Sequence, residues 1–200
     1  MSEVKVYGIQ RSGNNWLMWL LAANFKVNVL GNKKGGWTHG PMEVVQHIGH
    51  EPDLVLLIVK HPLTWLPSIY RYRGKGAFPE YVASSKEIEL WNVRYRGWLD
   101  ASERLCKAHF AIIRYEEALE QKERLLEALC GCGGLLRKGG PWRFPQKHMG
   151  KHMSETNKPF RAEYYLGGKY MNTYPRRTLR EVRKRVDQEI LERLGYGRMK

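Results

Sequence analysis

Cysteine is scarce in this chain: Cys106, Cys130 and Cys132 are all there are. An odd, low count provides no disulfide framework and fits a reducing compartment. Long apolar runs are missing as well. The longest, roughly Trp16 to Phe25, falls far short of the ~20 residues a bilayer span requires. No charged leader with an apolar core precedes Val4, so the expected location is the cytoplasm. Acidic residues are the third shortage, with 20 Asp+Glu against 34 Lys+Arg and a net charge of +14. Absent too is any G-x-x-x-x-G-K-[ST] stretch, which excludes a nucleoside-triphosphate loop, and no carboxylate pair suggests a magnesium site. Together those last two absences argue against a kinase-like phosphotransferase.

What is present describes a packed globular protein. At 42% hydrophobic and 12% aromatic, with seven Trp, the composition rules out disorder. A chain of 200 residues buries about 70% of its unfolded surface without needing a staple. The expectation is one domain over residues 1–200, with an α/β core at 1–136 and a basic segment at 137–200. The charge is uneven: residues 1–136 carry net +3 and residues 137–200 net +11. That asymmetry points to an anionic partner met mainly by the last third.

Periodicity gives the order of elements. Val4–Ile9 reads as a strand, followed by the small polar turn Gln10-Arg11-Ser12-Gly13-Asn14-Asn15 and an apolar helix from Trp16. Further strands are expected at 26–30, 54–59 and 110–113; the unbroken apolar Leu54–Val59 is the pattern of a central parallel strand. Helices are expected after an N-cap at Thr64, with Pro67 as the third helical residue, and over 86–105, 116–129 and 178–194. The alternation implies an α/β fold, a mostly parallel sheet flanked by helices on both faces. Ligands of such sheets sit beyond the carboxyl ends of the strands. Three of these strands run into Arg11-Ser12-Gly13, Lys60-His61-Pro62 and Arg114-Tyr115-Glu116.

Taken together, these turns carry a family resemblance. Arg11-Ser12-Gly13-Asn14-Asn15-Trp16 resembles the 5′-phosphosulfate loop of the sulfotransferases that use 3′-phosphoadenosine 5′-phosphosulfate (PAPS), a P-loop-like fold. Leu57–Pro62 with Ser68, eight residues after Lys60, is similar to that family's 3′-phosphate segment. Trp37-Thr38-His39-Gly40-Pro41 resembles the segment bearing its catalytic His, Ile113–Glu117 its Tyr-Glu-Asp segment, and Arg137-Lys138-Gly139 its second 3′-phosphate clamp. The resemblance implies PAPS as donor, with adenosine 3′,5′-bisphosphate (PAP) left as product, and sulfuryl transfer to an acceptor hydroxyl or amine by in-line attack. It implies His39 as base, Arg11 stabilising the leaving phosphate oxygen, and Ser12, Gly13, Asn14 and Asn15 donating to the phosphosulfate. Trp16 and Tyr115 would flank the adenine, and Lys60, Ser68, Arg137, Lys138 and Gly139 would hold the 3′-phosphate. Gly167-Gly168-Lys169 could supply the same clamp.

The departures from the pattern are specific. Arg11 stands for a Lys, Lys60 for an Arg, and Trp37 for the Lys before Thr-His. No metal is expected: Cys130-x-Cys132 with His148-x₃-His152 has a zinc-like His spacing, but its Cys pair is one residue too tight. The acceptor, small molecule, glycan or peptide, is not readable. The alternative is a non-catalytic nucleic-acid or polyanion-binding protein on the same fold.

Overall fold

The computed structural model describes residues 1–42, 48–131, 133–149, 155–159 and 162–199. Four strands, β1 (Ser2–Tyr7), β2 (Val27–Val29), β3 (Leu54–Val59) and β4 (His109–Arg114), form one sheet in the order β2-β1-β3-β4. All three pairings are parallel, with Val4 opposite Leu54, Tyr7 opposite Leu57 and Val59 opposite Arg114. The order reverses between β1 and β3, so the crevice beyond these two strands is the topological switch point where α/β sheets bind ligands.

Alternation along the strands feeds two cores. Val4, Val6, Leu54, Leu56 and Ile58 face α1 (Asn14–Asn24), α6 (Tyr115–Glu120) and α7 (Lys122–Gly131). Tyr7, Val55, Leu57 and Val59 face the other side. There they meet α3 (Pro62–Arg73), α4 (Phe78–Ser84), α5 (Glu87–Ser102), α9 (Arg176–Arg185) and α10 (Gln188–Arg193). Every residue of β3 is buried, as its unbroken apolar sequence requires. On α5 the expected stripe of Ile88, Trp91, Tyr95 and Trp98 is buried, while Leu105 lies beyond the helix end. The short α2 (Asn32–Gly35) follows β2, and a two-stranded antiparallel ribbon, β5 (Lys147–Met149) with β6 (Glu155–Pro159), precedes α8 (Glu163–Leu166) and a 3₁₀ turn at Lys169–Thr173.

Several boundaries differ from the sequence pattern, each for a local reason. β1 stops at Tyr7 because residues 8–13 are drawn into a turn. Helix α3 starts at Pro62, capped by the His61 imidazole, whose Nδ1 accepts from Leu63 N at 3.2 Å; Thr64 is inside the helix. Pro67 is therefore interior and leaves the Leu63 carbonyl without its helical donor. The Tyr174 hydroxyl fills that role at 2.9 Å. The run 116–129 breaks at Gln121, and 178–194 breaks at Val186, after which Asp187 caps α10 through Glu189 N and Ile190 N. Part of the basic excess of the last third serves packing: Arg185 pairs with Glu89, Arg193 with Asp100 and Glu103, and Arg198 with Glu192. Among the described residues no helix is long and apolar enough to cross a membrane.

Candidate functional site

The turn after β1 is knotted by its own side chains. Ser12, fully buried, donates from Oγ to Ile9 O at 2.7 Å, and Trp65 Nε1 donates to Gln10 O at 2.7 Å. Asn14 turns its amide inward, donating from Nδ2 to Gly8 O at 2.9 Å and Ile9 O at 3.1 Å. Arg11 takes a left-handed φ of 69°, and its exposed guanidinium lies 5.5 Å from the Tyr72 ring centre. Gly13, at φ 108°, is the N-cap of α1; a Cβ there would lie 2.5 Å from the Tyr115 ring. No side chain caps this helix and no acid occupies its first turn. The first helical bond runs from Leu17 N to Gly13 O, so the N–H groups of the first turn carry the positive end of the dipole with no intrahelical acceptor. Ser12 and Asn14, expected to offer backbone and side-chain donors to a ligand, use their side chains here to fix the turn from which α1 starts.

Beside that turn lies a buried cation. Lys60 follows β3, is 1% exposed, and places Nζ 4.7 Å from the Tyr115 ring centre and 3.8 Å from that of Tyr165. Burial holds its pKa well below the ordinary ammonium range; Glu116 opposes this and Arg11 and Arg71 add to it. Arg71 sits over the Tyr164 ring at 4.3 Å. Among the described residues neither Arg11, Lys60 nor Arg71 pairs with a carboxylate, whereas Arg73, Arg96, Arg114, Arg185, Arg193 and Arg198 all do. The hydroxyl of Ser68, a residue 2% exposed on α3, makes no hydrogen bond among them either.

Glu116, the nearest carboxylate, is already engaged. Oε1 accepts from His61 N at 3.1 Å and from the Thr64 hydroxyl, and Oε2 from Tyr196 OH at 2.8 Å. This carboxylate fixes the turn from β3 into α3. The α5 aromatics do related work, with Trp91 Nε1 donating to Lys60 O at 3.1 Å and Tyr95 OH to Ile58 O at 3.3 Å. Glu116 stands in the strand-end turn that the sequence pointed to, without a role assigned to it, while Trp91 and Tyr95 were expected only as one face of a helix.

His39 arrives from the loop between β2 and β3, which is pinned at several points. Gly8 N donates to Thr38 O at 3.2 Å, Thr38 Oγ1 to Asn32 Oδ1 at 2.8 Å, and Trp98 Nε1 to Gly40 O at 2.7 Å. Lys5, wholly buried, donates from Nζ to Gly36 O at 2.6 Å. His39 Nδ1 is 2.6 Å from Gly8 O. A carbonyl only accepts, so Nδ1 carries the proton and, in the neutral ring, Nε2 keeps its lone pair. The Asn14 amide, 3.4 Å from Nδ1, is a second donor to the same carbonyl rather than a partner of the imidazole. Burial lowers the His39 pKa below 6.5; the Gly8 bond opposes this and the Lys5 charge adds to it. His39 also lines a cleft of about 100 Å³ with Trp37, Trp65, Leu90, Arg73 and Arg94.

The turn thus brings together Arg11, Ser12, Gly13, Asn14, Trp16, Lys60, Tyr115 and His39. Trp16 is 4% exposed and meets Tyr115 edge-on at 6.0 Å, so its ring is packed in the core under the turn, its Nε1 without a hydrogen-bond partner. Asn15 stands in the first turn of α1. Arg137, Lys138 and Gly139 are elsewhere. Lys138 N bonds Asn24 O at 2.9 Å and its Nζ bonds Ala22 O at 2.5 Å, at the carboxyl end of α1. Arg137 stacks on Trp142 at 3.9 Å. An 11-residue helix is about 16 Å long, which separates this group from the turn. There Lys138 meets the negative end of the helix dipole. The alternative clamp, Gly167-Gly168-Lys169, directly follows α8, whose Tyr165 touches Lys60. The Cys130–Cys132 and His148–His152 spacing involves Cys132 and His152, which lie outside the described residues. Among those described, no group of three His, Cys, Asp or Glu could hold a metal ion.

The arrangement is suited to an oxyanion: the positive end of a helix dipole, an exposed guanidinium, a buried amine and an imidazole with an open nitrogen. No family model matches the chain, and no curated protein matches it.

Proposed function

We propose that the chain is a sulfotransferase, moving a sulfuryl group from PAPS to an acceptor hydroxyl or amine. The observation that carries this reading is Lys60, a buried ammonium at the end of β3 with no carboxylate partner, next to an uncapped helix N-terminus. A charge so placed is costly unless an anion joins it. Two anionic groups on one small molecule use the site fully: the α1 N-terminus and Arg11 receive one, and Lys60, Ser68 and Arg71 receive the other. On this reading the 3′-phosphate clamp is completed near Gly167-Gly168-Lys169 rather than by Arg137-Lys138-Gly139.

His39 supplies the proton chemistry. Its Nε2 takes the proton of the acceptor hydroxyl or amine as that atom bonds to sulfur. The bond from sulfur to the 5′-phosphate oxygen breaks, and the charge released there falls to Arg11 and the α1 N–H groups. The P-loop-like character of the fold rests on the same turn and belongs to the same proposal.

The test is thermal unfolding with adenosine 3′,5′-bisphosphate and with AMP. The bisphosphate raises Tm well beyond the effect of AMP; equal shifts overturn the reading. Steep salt dependence of DNA or RNA binding, unaffected by the bisphosphate, favours polyanion binding instead.

A further inference from the structure

The cleft beside His39 has its own recognition chemistry. Its volume, about 100 Å³, is far below the several hundred Å³ of a pocket for a drug-sized molecule and suits one ring. Trp65, 1% exposed, and Ile9, 3% exposed, contribute buried apolar surface to it. Trp37 and Leu90 remain 51% and 37% exposed, two of the few large apolar side chains that nothing in the described residues covers. An indole left in water beside an imidazole is a platform for a flat ring or the apolar face of a sugar.

Two arginines also line the cleft, and they differ. Arg73 is committed: it pairs with Glu87 at 2.6 Å, and that carboxylate also accepts from Tyr81 OH at 3.0 Å. Arg94 is not. It is half-buried, yet among the described residues it makes no ion pair, hydrogen bond or ring contact. Its neighbour on the same helix, Arg96, binds Asp187, and Arg185 reaches across to Glu89. Leu90 and Arg94, four residues apart on α5, share one helix face, so apolar contact and a cation without a partner among the described residues meet on one wall. A planar guanidinium with five open donors fits a carboxylate in a bidentate pair.

We infer that the acceptor is a single hydroxylated ring bearing a carboxylate, with Trp37 and Leu90 holding the ring and Arg94 binding the carboxylate. The inference rests on the sulfuryl-transfer reading for calling this molecule the acceptor. The binding of a carboxylated ring at Arg94 stands on the cleft alone. With His39 on the same cleft, a ring anchored by its acidic end at Arg94 can present its hydroxyl to Nε2.

The experiment uses 4-hydroxyphenylacetate and its neutral amide, which have nearly the same shape, the amide lacking the charge and the second acceptor oxygen. Calorimetry reads binding to the full chain and to Arg94→Gln and Arg94→Lys, and sulfation kinetics are run in parallel. The wild type favours the acid over the amide by about tenfold or more in Kd and in kcat/KM, the effect of one charge-assisted pair. Arg94→Gln brings the ratio near one, and Arg94→Lys restores part of it. Equal binding of acid and amide by the wild type overturns the proposal, as does a ratio unchanged in Arg94→Gln. If the acid preference is seen and depends on Arg94 while adenosine 3′,5′-bisphosphate gives no thermal shift, the cleft assignment holds and the sulfuryl-transfer reading falls.

Discussion

The Lys60 ammonium lies 3.8 Å from the centre of the Tyr165 ring, and Glu116, the one carboxylate that acts on its charge, is bound to His61, Thr64 and Tyr196. A cation in that position is stabilised by two ring faces and by the field of a carboxylate already committed to other partners. Replacing it should help the fold and harm binding. Lys60→Met is expected to leave the free protein equally stable or more stable, by up to about 4 kcal/mol, and to abolish most of the Tm shift given by adenosine 3′,5′-bisphosphate. A destabilised variant with an undiminished shift removes Lys60 from the site.

His39 is expected to act as a base without holding the donor. His39→Ala keeps the bisphosphate-induced Tm shift and loses about 10²–10⁴-fold in kcat. Because its pKa is lowered from 6.5, the acid limb of the wild-type rate profile should be centred below pH 6.5. The protonated ring has no lone pair to offer, which sets the sign. A profile whose acid limb is centred above pH 6.5 assigns the base to another group.

Gly13 and Tyr115 are coupled by contact. A Cβ at position 13 would meet the ring at 2.5 Å in a backbone conformation of φ 108°. Gly13→Ala is expected to cost roughly 1–3 kcal/mol from backbone strain, and more from the clash. Chemical denaturation of Gly13→Ala, Tyr115→Ala and the double variant separates the two. The double variant should be more stable than the sum of the single effects allows, and strict additivity would mean the ring exerts no pressure on the turn.

Lys5 carries a different signature. Burial pushes its pKa down from 10.5 to about 8. Between those values the unfolded chain binds more protons than the folded one, so this residue makes stability rise with pH through that window. The gain is roughly 3 kcal/mol if the group is fully charged below it and neutral above it. Lys5→Met removes that slope, which urea titrations from pH 7 to 10 would show as a flatter curve. An unchanged slope assigns the proton release elsewhere.

Much of the frame was legible because it is local. Leu54–Val59 could hardly be anything but a central strand, and the aromatic stripe of α5 faces the core as its spacing requires. The site was legible as a place more than as contacts. The pattern located the turn at Arg11–Asn15 and the end of β3 at Lys60, but not the hydrogen bonds by which the Ser12 and Asn14 side chains hold Ile9 and Gly8. Polar side chains in a tight turn satisfy the nearest carbonyl first, and sequence does not say which carbonyl is nearest. The place of Arg137 and Lys138 was hidden for the opposite reason: their neighbours Ala22, Asn24 and Trp142 are brought by the docking of a loop on the end of α1. Arg94 could not be distinguished from its paired neighbours until Asp187 and Glu89 had found their partners.

Glu116 also orders events in time. The turn at Gly8–Asn14 closes over separations of three to six residues, cheap in chain entropy and available early in folding. The Glu116 carboxylate joins partners 55, 52 and 80 residues away, and its contact with Tyr196 waits for the last helix to dock. One half of the crevice thus starts from local bonds, later fastened by Trp65 and Thr38, and the other depends on long-range partners throughout. A nascent chain can make the local bonds of the Gly8–Asn14 turn before Tyr196 is available to hold Glu116 and the turn from β3 into α3.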